Sequence, residues 1–462
     1  MFRDHHSLST KLVSVVQHND QHGSSVPPIY QSTTFKVGSL EDGASQEYDY
    51  TRSGNPTRTV VQHQLAKLYG VDGSQALAVS SGMTALDMIL RSLVLNNNGS
   101  GVPTIIAGDD LYGGTQRLLT HLASRNHARI LHTDTTNYEE FVKLFQRQSR
   151  VACVLLESPT NPLLKVADLP RLTKFIKAEN PECVVAIDNT MMSGLLCNPL
   201  QFQCDVVYES ATKYLNGHHD IMAGVIIART AKIAEDIYFI INSTGCGLSP
   251  LDSWLLVRGL KTLGVRMYQQ QHNAMVLGHW LENSCGFRKR APGDLTLTRY
   301  VGLESHPQFE LHKSFNGGPG AVLSFETGSF EHSRRLVSSP KLKIWSVTVS
   351  FGCVNSLISM PCKMSHAAID PAVRAQREFP EDLIRLCCGI ESIADLQADL
   401  LEAMVDADII ELRDEGKTIC NKLNGNEAPN TLGQGELPNI YEEFFGQNGI
   451  KRHLLATSRA KL

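Results

Sequence analysis

From about residue 74 onward, short apolar runs alternate with stretches whose apolar positions recur at helical spacing. QALAVSS (75–81), TIIAGDD (104–110), RILHTD (129–134), VACVLLES (151–158), CVVAIDN (183–189) and DVVYES (205–210) read as strands. After the first comes GMTALDMILRSLVL (82–95), with Met83, Leu86, Ile89, Leu90 and Leu93 on one helical side, so Gly82 marks a strand-to-helix turn. The alternation predicts an α/β fold with a mostly parallel central sheet covered on both faces by helices. Three of the runs end in polar residues: Glu157-Ser158, Asp188-Asn189 and Glu209-Ser210. Ligands bind beyond the carboxyl ends of strands in such sheets, so the pattern predicts one site built from several strand ends.

The flanks differ from this centre. Residues 1–70 include a run rich in Ser, Thr, Gly and Pro, SSVPPIYQSTTFKVGSLEDGASQEYDYTRSGNPT, with little periodicity. It reads as an extended arm that lies on another domain or another subunit, because it buries little surface of its own. A large domain is expected over 71–275, ending after the apolar helix SPLDSWLLVRGLKTL (249–263). A second unit over 276–403 carries strand patterns in AVLSFET and SVTVSF and a helix pattern in SIADLQADLLEAM. The extension over 404–462 contains the turn-rich NGNEAPNTLGQGELPN and suggests no chemistry.

Composition narrows the classes. Of the 462 residues, 42% are hydrophobic and 19% charged, enough for a large core, and the net charge of −4 gives no nucleic-acid footprint and no polybasic membrane patch. No apolar run has the length of a membrane helix, and the first residues lack the apolar block of a secretory signal. The 11 cysteines form no CxxC pair, which suits reduced, buried thiols and no metal site. The last residues, Ala460, Lys461 and Leu462, are close to the Ser-Lys-Leu peroxisomal address, so a peroxisomal location is expected, with the cytoplasm as the alternative.

One lysine stands out chemically. In ESATKYLNGHHD (209–220), Lys213 follows Ser210 and Thr212 and precedes an Asn-Gly turn. Burial or a cationic neighbour lowers a lysine pKa and lets the amine form an imine with an aldehyde. Pyridoxal phosphate is a common aldehyde cofactor, and it needs a phosphate cradle, a carboxylate at its ring nitrogen, a flat group over the ring and an anchor for the substrate carboxylate. Ser81, Gly82 and Met83 at a helix start attract anions through free N–H groups and the helix dipole, although such a turn also serves structure alone. Asp188 ends a very apolar strand, where a carboxylate seeks a cation; a turn or cap role is the other reading. Tyr112 in DDLYGGT reads either as a ring-stacking group or as an ordinary loop tyrosine.

Together YDYTRSGNPTR, SSGMTAL, DDLYGGT, ESPTNP, IDNT and SATKYLNGHHD resemble, in order, the motifs of the Cys/Met-metabolism family of pyridoxal-phosphate enzymes, over about residues 24–400. The resemblance implies the type I fold of PLP-dependent transferases: a mostly parallel central sheet, an N-terminal arm and a smaller α/β C-terminal domain. It implies that Lys213 joins the cofactor covalently and acts as a catalytic base. Asp188 would pair with the ring nitrogen, Tyr112 would stack on the ring and assist proton transfer, and Asn161 would lie near the phenolic oxygen. Ser81, Gly82, Met83, Ser210 and Thr212 would hold the phosphate, with Tyr50 and Arg52 reaching the phosphate of a neighbouring subunit. Arg385 in IRLCCGIES would grip the substrate carboxylate, with Ser350 beside it. A homotetramer, a dimer of dimers with shared sites, is the implied assembly.

The segment SVTVSFGCVNSLI selects among reactions. Many γ-acting members carry Glu-Ser-Leu-Gly where this chain has Val349, Ser350, Phe351 and Gly352. An apolar Val349 cannot pair with a distal ammonium, and Phe351 narrows the pocket. β-Elimination of cystathionine to homocysteine, pyruvate and ammonia is therefore expected, with γ-elimination or γ-synthesis as the alternative. Gly114 stands where methionine γ-lyases carry a cysteine, which argues against that activity.

Overall fold

The computed structural model describes residues 7–15, 22–37, 47–95, 101–288, 298–365, 367 and 379–433. Its centre is a sheet of β1 (Ala76–Val79), β2 (Thr104–Gly108), β3 (Arg129–Thr133), β4 (Cys153–Glu157), β5 (Val184–Asp188), β6 (Val206–Ser210) and β7 (Gly224–Ala228). The spatial order is β1-β7-β6-β5-β4-β2-β3. Pairs β2/β3, β2/β4, β4/β5 and β5/β6 are parallel, whereas β7 runs antiparallel to both β1 and β6. Alternate residues feed two cores. Leu156, Val185, Ile187 and Val207 pack on one face, and Leu155, Ala186, Val206 and Tyr208 on the other. Both faces are covered, so the strands are nearly continuous apolar runs, each aliphatic side chain stabilising by about 1.5–3 kcal/mol on burial.

The expected arm ends earlier than residue 70. Asn55 accepts a hydrogen bond from the Thr57 N–H, Pro56 occupies the first turn, and Pro56–Tyr69 forms a helix with Val61 and Leu65 fully buried. Its apolar positions are interrupted by polar ones, which hid the helix from the pattern. The preceding segment lies on its own chain: Asn55 Nδ2 donates to the Tyr30 carbonyl at 2.8 Å and Trp254 Nε1 to the Pro27 carbonyl at 2.9 Å.

The border placed near 275 falls inside the helix Leu263–Asn283, which runs unbroken because it packs on both units. The second sheet comprises β8 (Thr298–Arg299), β9 (Val322–Glu326), β10 (Ser346–Val347), β11 (Leu357–Ser359) and β12 (Leu383–Cys387), in the order β10-β11-β12-β9-β8. SVTVSF yields only two strand residues, since Ser350 and Gly352 take φ of 98° and 79° and turn the chain away. The border at 404 also falls within a helix, Ile393–Asp406, whose apolar side stays in the core to Met404. Beyond it, β13 (Ile410–Arg413), β14 (Thr418–Asn421) and β15 (Asn426–Pro429) form an antiparallel sheet, tied back by Asn421 Nδ2 to the Cys285 carbonyl at 2.8 Å. The terminal Ala460-Lys461-Leu462 lies outside the described residues.

Candidate active site

Strand alternation sends Glu157, Asp188, Tyr208 and Ser210 to one side of the central sheet, at the carboxyl ends of β4, β5 and β6. There they line a cavity of about 410 Å³ together with Ser81, Gly82, Met83, Tyr112, Asn161, Thr212 and Lys213. Arg385 on β12 and Val349, Ser350 and Phe351 in the loop after β10 close it. All the sequence-predicted site residues thus converge except Tyr50 and Arg52, which lie apart in their own chain, with the Arg52 guanidinium 5.1 Å from the Tyr50 ring centre.

The anion end is shaped by two glycines. A Cβ on Gly82 would come within 2.9 Å of Ser210, and one on Gly224 within 2.0 Å of the Ser81 carbonyl oxygen. Only bare backbone lets the helix start Gly82–Ile89 meet the ends of β6 and β7, which brings its free N–H groups beside the Ser210 hydroxyl. Ser81 caps that helix, its Oγ accepting from the Thr84 N–H at 3.0 Å. The Thr212 hydroxyl is engaged with Ala223, accepting from its N–H at 3.0 Å.

Lys213 sits in the turn after β6, held by its N–H to the Ser210 carbonyl and by the Gly217 N–H to its own carbonyl. Its Nζ donates to Ser350 Oγ at 2.6 Å and lies 5.3 Å from the Phe351 ring centre. Burial, and next the positive Arg385, push the amine down to about 8, so a free electron pair is accessible near neutral pH. Arg385, buried in β12, gives Nη1 to Asn161 Oδ1 at 2.9 Å and Nη2 to the Ser350 carbonyl at 2.7 Å, while its buried Nε has no partner among the described residues.

Glu157 and Asp188 are register partners on β4 and β5. Burial, then the charges of Asp188 and Asp110, raise Glu157 well above the usual carboxylate range. Burial raises Asp188 too, against hydrogen bonds from Thr190 and Tyr208. Neither acid makes an ion pair among the described residues. Two buried acids without a cation, beside a reactive amine and an anion cradle, suit a ligand that brings its own positive ring nitrogen and its own phosphate. The residues therefore fit pyridoxal 5'-phosphate. Asp188 would face the ring nitrogen, and Gly82, Met83 and Ser210 the phosphate. Tyr112 stands at the rim, its N–H donating to Glu157 Oε2 at 3.3 Å, and a Cβ on Gly114 would strike its ring at 2.4 Å.

Glu157 was anticipated only as a polar strand end without a role, and several other lining residues escaped the sequence reading: Thr190, Tyr208, Arg117, Met222 and Met364. Glu157 and Tyr208 carried a usable signal, being strand-end positions in step with Asp188 and Ser210. Arg117, Met222 and Met364 sit in segments whose approach to the cavity depends on tertiary packing.

A family model described as Cys/Met metabolism PLP-dependent enzyme matches residues 9–405. The chain is 66% identical over 450 residues to a cystathionine beta-lyase of Saccharomyces cerevisiae, covering 96% of this chain and 97% of that one. It is 51% identical over 411 residues to a cystathionine beta-lyase of Neurospora crassa, covering 89% of this chain and 84% of that one. The crystal structure of a cystathionine gamma synthase from Xanthomonas oryzae pv. oryzae superposes with a TM-score of 0.79 at 32% identity, covering 87% of this chain and 98% of that one.

Proposed function

The chain belongs to the Cys/Met-metabolism family of PLP-dependent enzymes, and from that premise we propose that it cleaves L-cystathionine by β-elimination. Cystathionine and water give homocysteine, pyruvate and ammonia, a carbon–sulfur lyase step of trans-sulfuration toward methionine. The observation that carries this reading is the contact of Lys213 with Ser350, flanked by the uncharged Val349 and Phe351, in a chain whose most similar relatives reported above are cystathionine beta-lyases.

Bound pyridoxal 5'-phosphate supplies an electron sink for charge developing at the substrate Cα. The chain does the rest. Arg385 offers its unpartnered Nε to the substrate carboxylate, steadied by Asn161 and the Ser350 carbonyl. Lys213 Nζ takes the Cα proton, and Ser350 Oγ fixes where that amine sits. The C–S bond at Cβ then breaks and homocysteine leaves as the thiolate. With the cofactor bound, Asp188 would hold a proton on the ring nitrogen and Tyr112 would stack on the ring. Val349 stands where many γ-acting members of the family carry a glutamate, which disfavours γ-chemistry.

Tyr50 and Arg52 serve the phosphate of a neighbouring subunit in a homotetramer made of dimers, and Ala460-Lys461-Leu462 addresses the protein to peroxisomes. Keto-acid analysis after incubation with cystathionine tests the activity: pyruvate supports it, whereas 2-oxobutyrate defeats it. Sedimentation tests the assembly, and deletion of the last three residues from a fluorescent fusion tests the address.

A further inference from the structure

The helix Leu263–Asn283 carries four buried polar side chains, Arg266, Gln270, Gln271 and Asn273, of which Arg266, Gln270 and Asn273 stand at spacings of four and three residues and therefore on one face. A helix that only filled core would carry apolar residues there, since each buried polar group must find partners. Arg266, Gln270 and Asn273 each send a donor to a different segment, while Gln270 Oε1 has no partner among the described residues.

Arg266 gives Nη1 to the Tyr214 carbonyl at 2.8 Å and Nη2 to the Gly259 carbonyl at 2.9 Å. Gly217 makes room for this guanidinium, because a Cβ there would lie 2.0 Å from Nη1. Gln270 Nε2 donates to the Cys353 carbonyl at 2.7 Å. Asn273 Nδ2 donates to the carbonyls of Gly389 at 3.0 Å and Glu391 at 2.9 Å. The three anchored segments are those that bear Lys213, Ser350 and Arg385.

We infer that Arg266, Gln270 and Asn273 are positioning residues: one rigid helix sets the base, its hydroxyl partner and the carboxylate anchor at fixed spacing across two sheets. None of the three lines the cavity, so each acts through the segment it holds. The inference rests on the proposed roles of Lys213 and Arg385 and makes separable demands on each.

Single variants Arg266→Lys, Gln270→Met and Asn273→Leu, loaded with cofactor, test it by steady-state kinetics with cystathionine and by backbone hydrogen exchange. Gln270→Met, which loosens Ser350 against Lys213, should lower kcat by roughly 10- to 100-fold with KM within about 3-fold. Asn273→Leu should raise KM about 10-fold with a smaller change in kcat, because Arg385 binds substrate. Exchange should quicken at 213–217 in Arg266→Lys, near 350–353 in Gln270→Met and near 385–391 in Asn273→Leu. Variants that lose thermal stability yet keep wild-type kcat, KM and exchange in these segments overturn the inference. A wild-type protein that releases no pyruvate would instead sink the proposed reaction, and the exchange pattern would still decide this one.

Discussion

Asp188 and Asn189 are chain neighbours, as are Glu209 and Ser210, yet each pair divides between two polar clusters of opposite character. On the cavity side, among the described residues, Asp188 and Glu157 make no ion pair and Arg385 Nε meets no acceptor. On the other side, Glu209 accepts from the Tyr69 hydroxyl and from the Gly194 N–H at 3.2 Å, and Asn189 Nδ2 donates to Tyr69 Oη and to the Cys197 carbonyl, each at 2.9 Å. Both clusters are buried and acidic. The Glu209 cluster is closed by the chain itself apart from Asn189 Oδ1, while the cavity cluster keeps its ionisable groups without a counter-charge among the described residues. Unmatched buried charge is costly, and it persists where a ligand completes it.

Four substitutions break or sharpen this contrast. Lys213→Ala should abolish turnover by about 1,000-fold or more and remove borohydride-fixable cofactor, with the far-UV dichroism of the wild type. Arg385→Leu should raise KM for cystathionine by up to about 100-fold, read from initial rates, because charged hydrogen bonds to the substrate are lost. Tyr69→Phe acts on the closed cluster, leaving Glu209 short of a donor; denaturant unfolding should show a loss of about 1–3 kcal/mol with little change in kcat.

Glu209→Gln should show the smallest effect, and only in pH dependence. Burial lifts Glu209 to about 8 from its ordinary 4.5. Between those values the folded chain holds a proton that the unfolded chain has released, so this contribution to stability is complete below the lower value and is lost as pH rises through the upper one. Unfolding free energies measured from pH 5 to 8 should therefore fall more steeply for the wild type than for the glutamine variant.

Much of the cavity cluster was legible because strand ends are regular. Asp188, Ser210 and Lys213 follow apolar runs whose length and polar stop announce their place, and the glycine at 82 marks a turn that backbone crowding demands. The reversal of β7 was not legible, since the run GVIIA has the same composition in either direction. Arg266, Gln270 and Asn273 were hidden for another reason: their inward polar face contradicts the rule that buried helix positions are apolar. Tyr69 and Glu209 meet across 140 residues, a pairing that no local pattern encodes.

The contact between Lys213 and Ser350 joins residues 137 apart in sequence, and that between Asn161 and Arg385 joins residues 224 apart. Such pairings require both sheets to be formed and docked against each other. A nascent or partly refolded molecule can therefore own a complete central sheet and still lack chemistry, so recovery of turnover during renaturation should trail recovery of secondary structure.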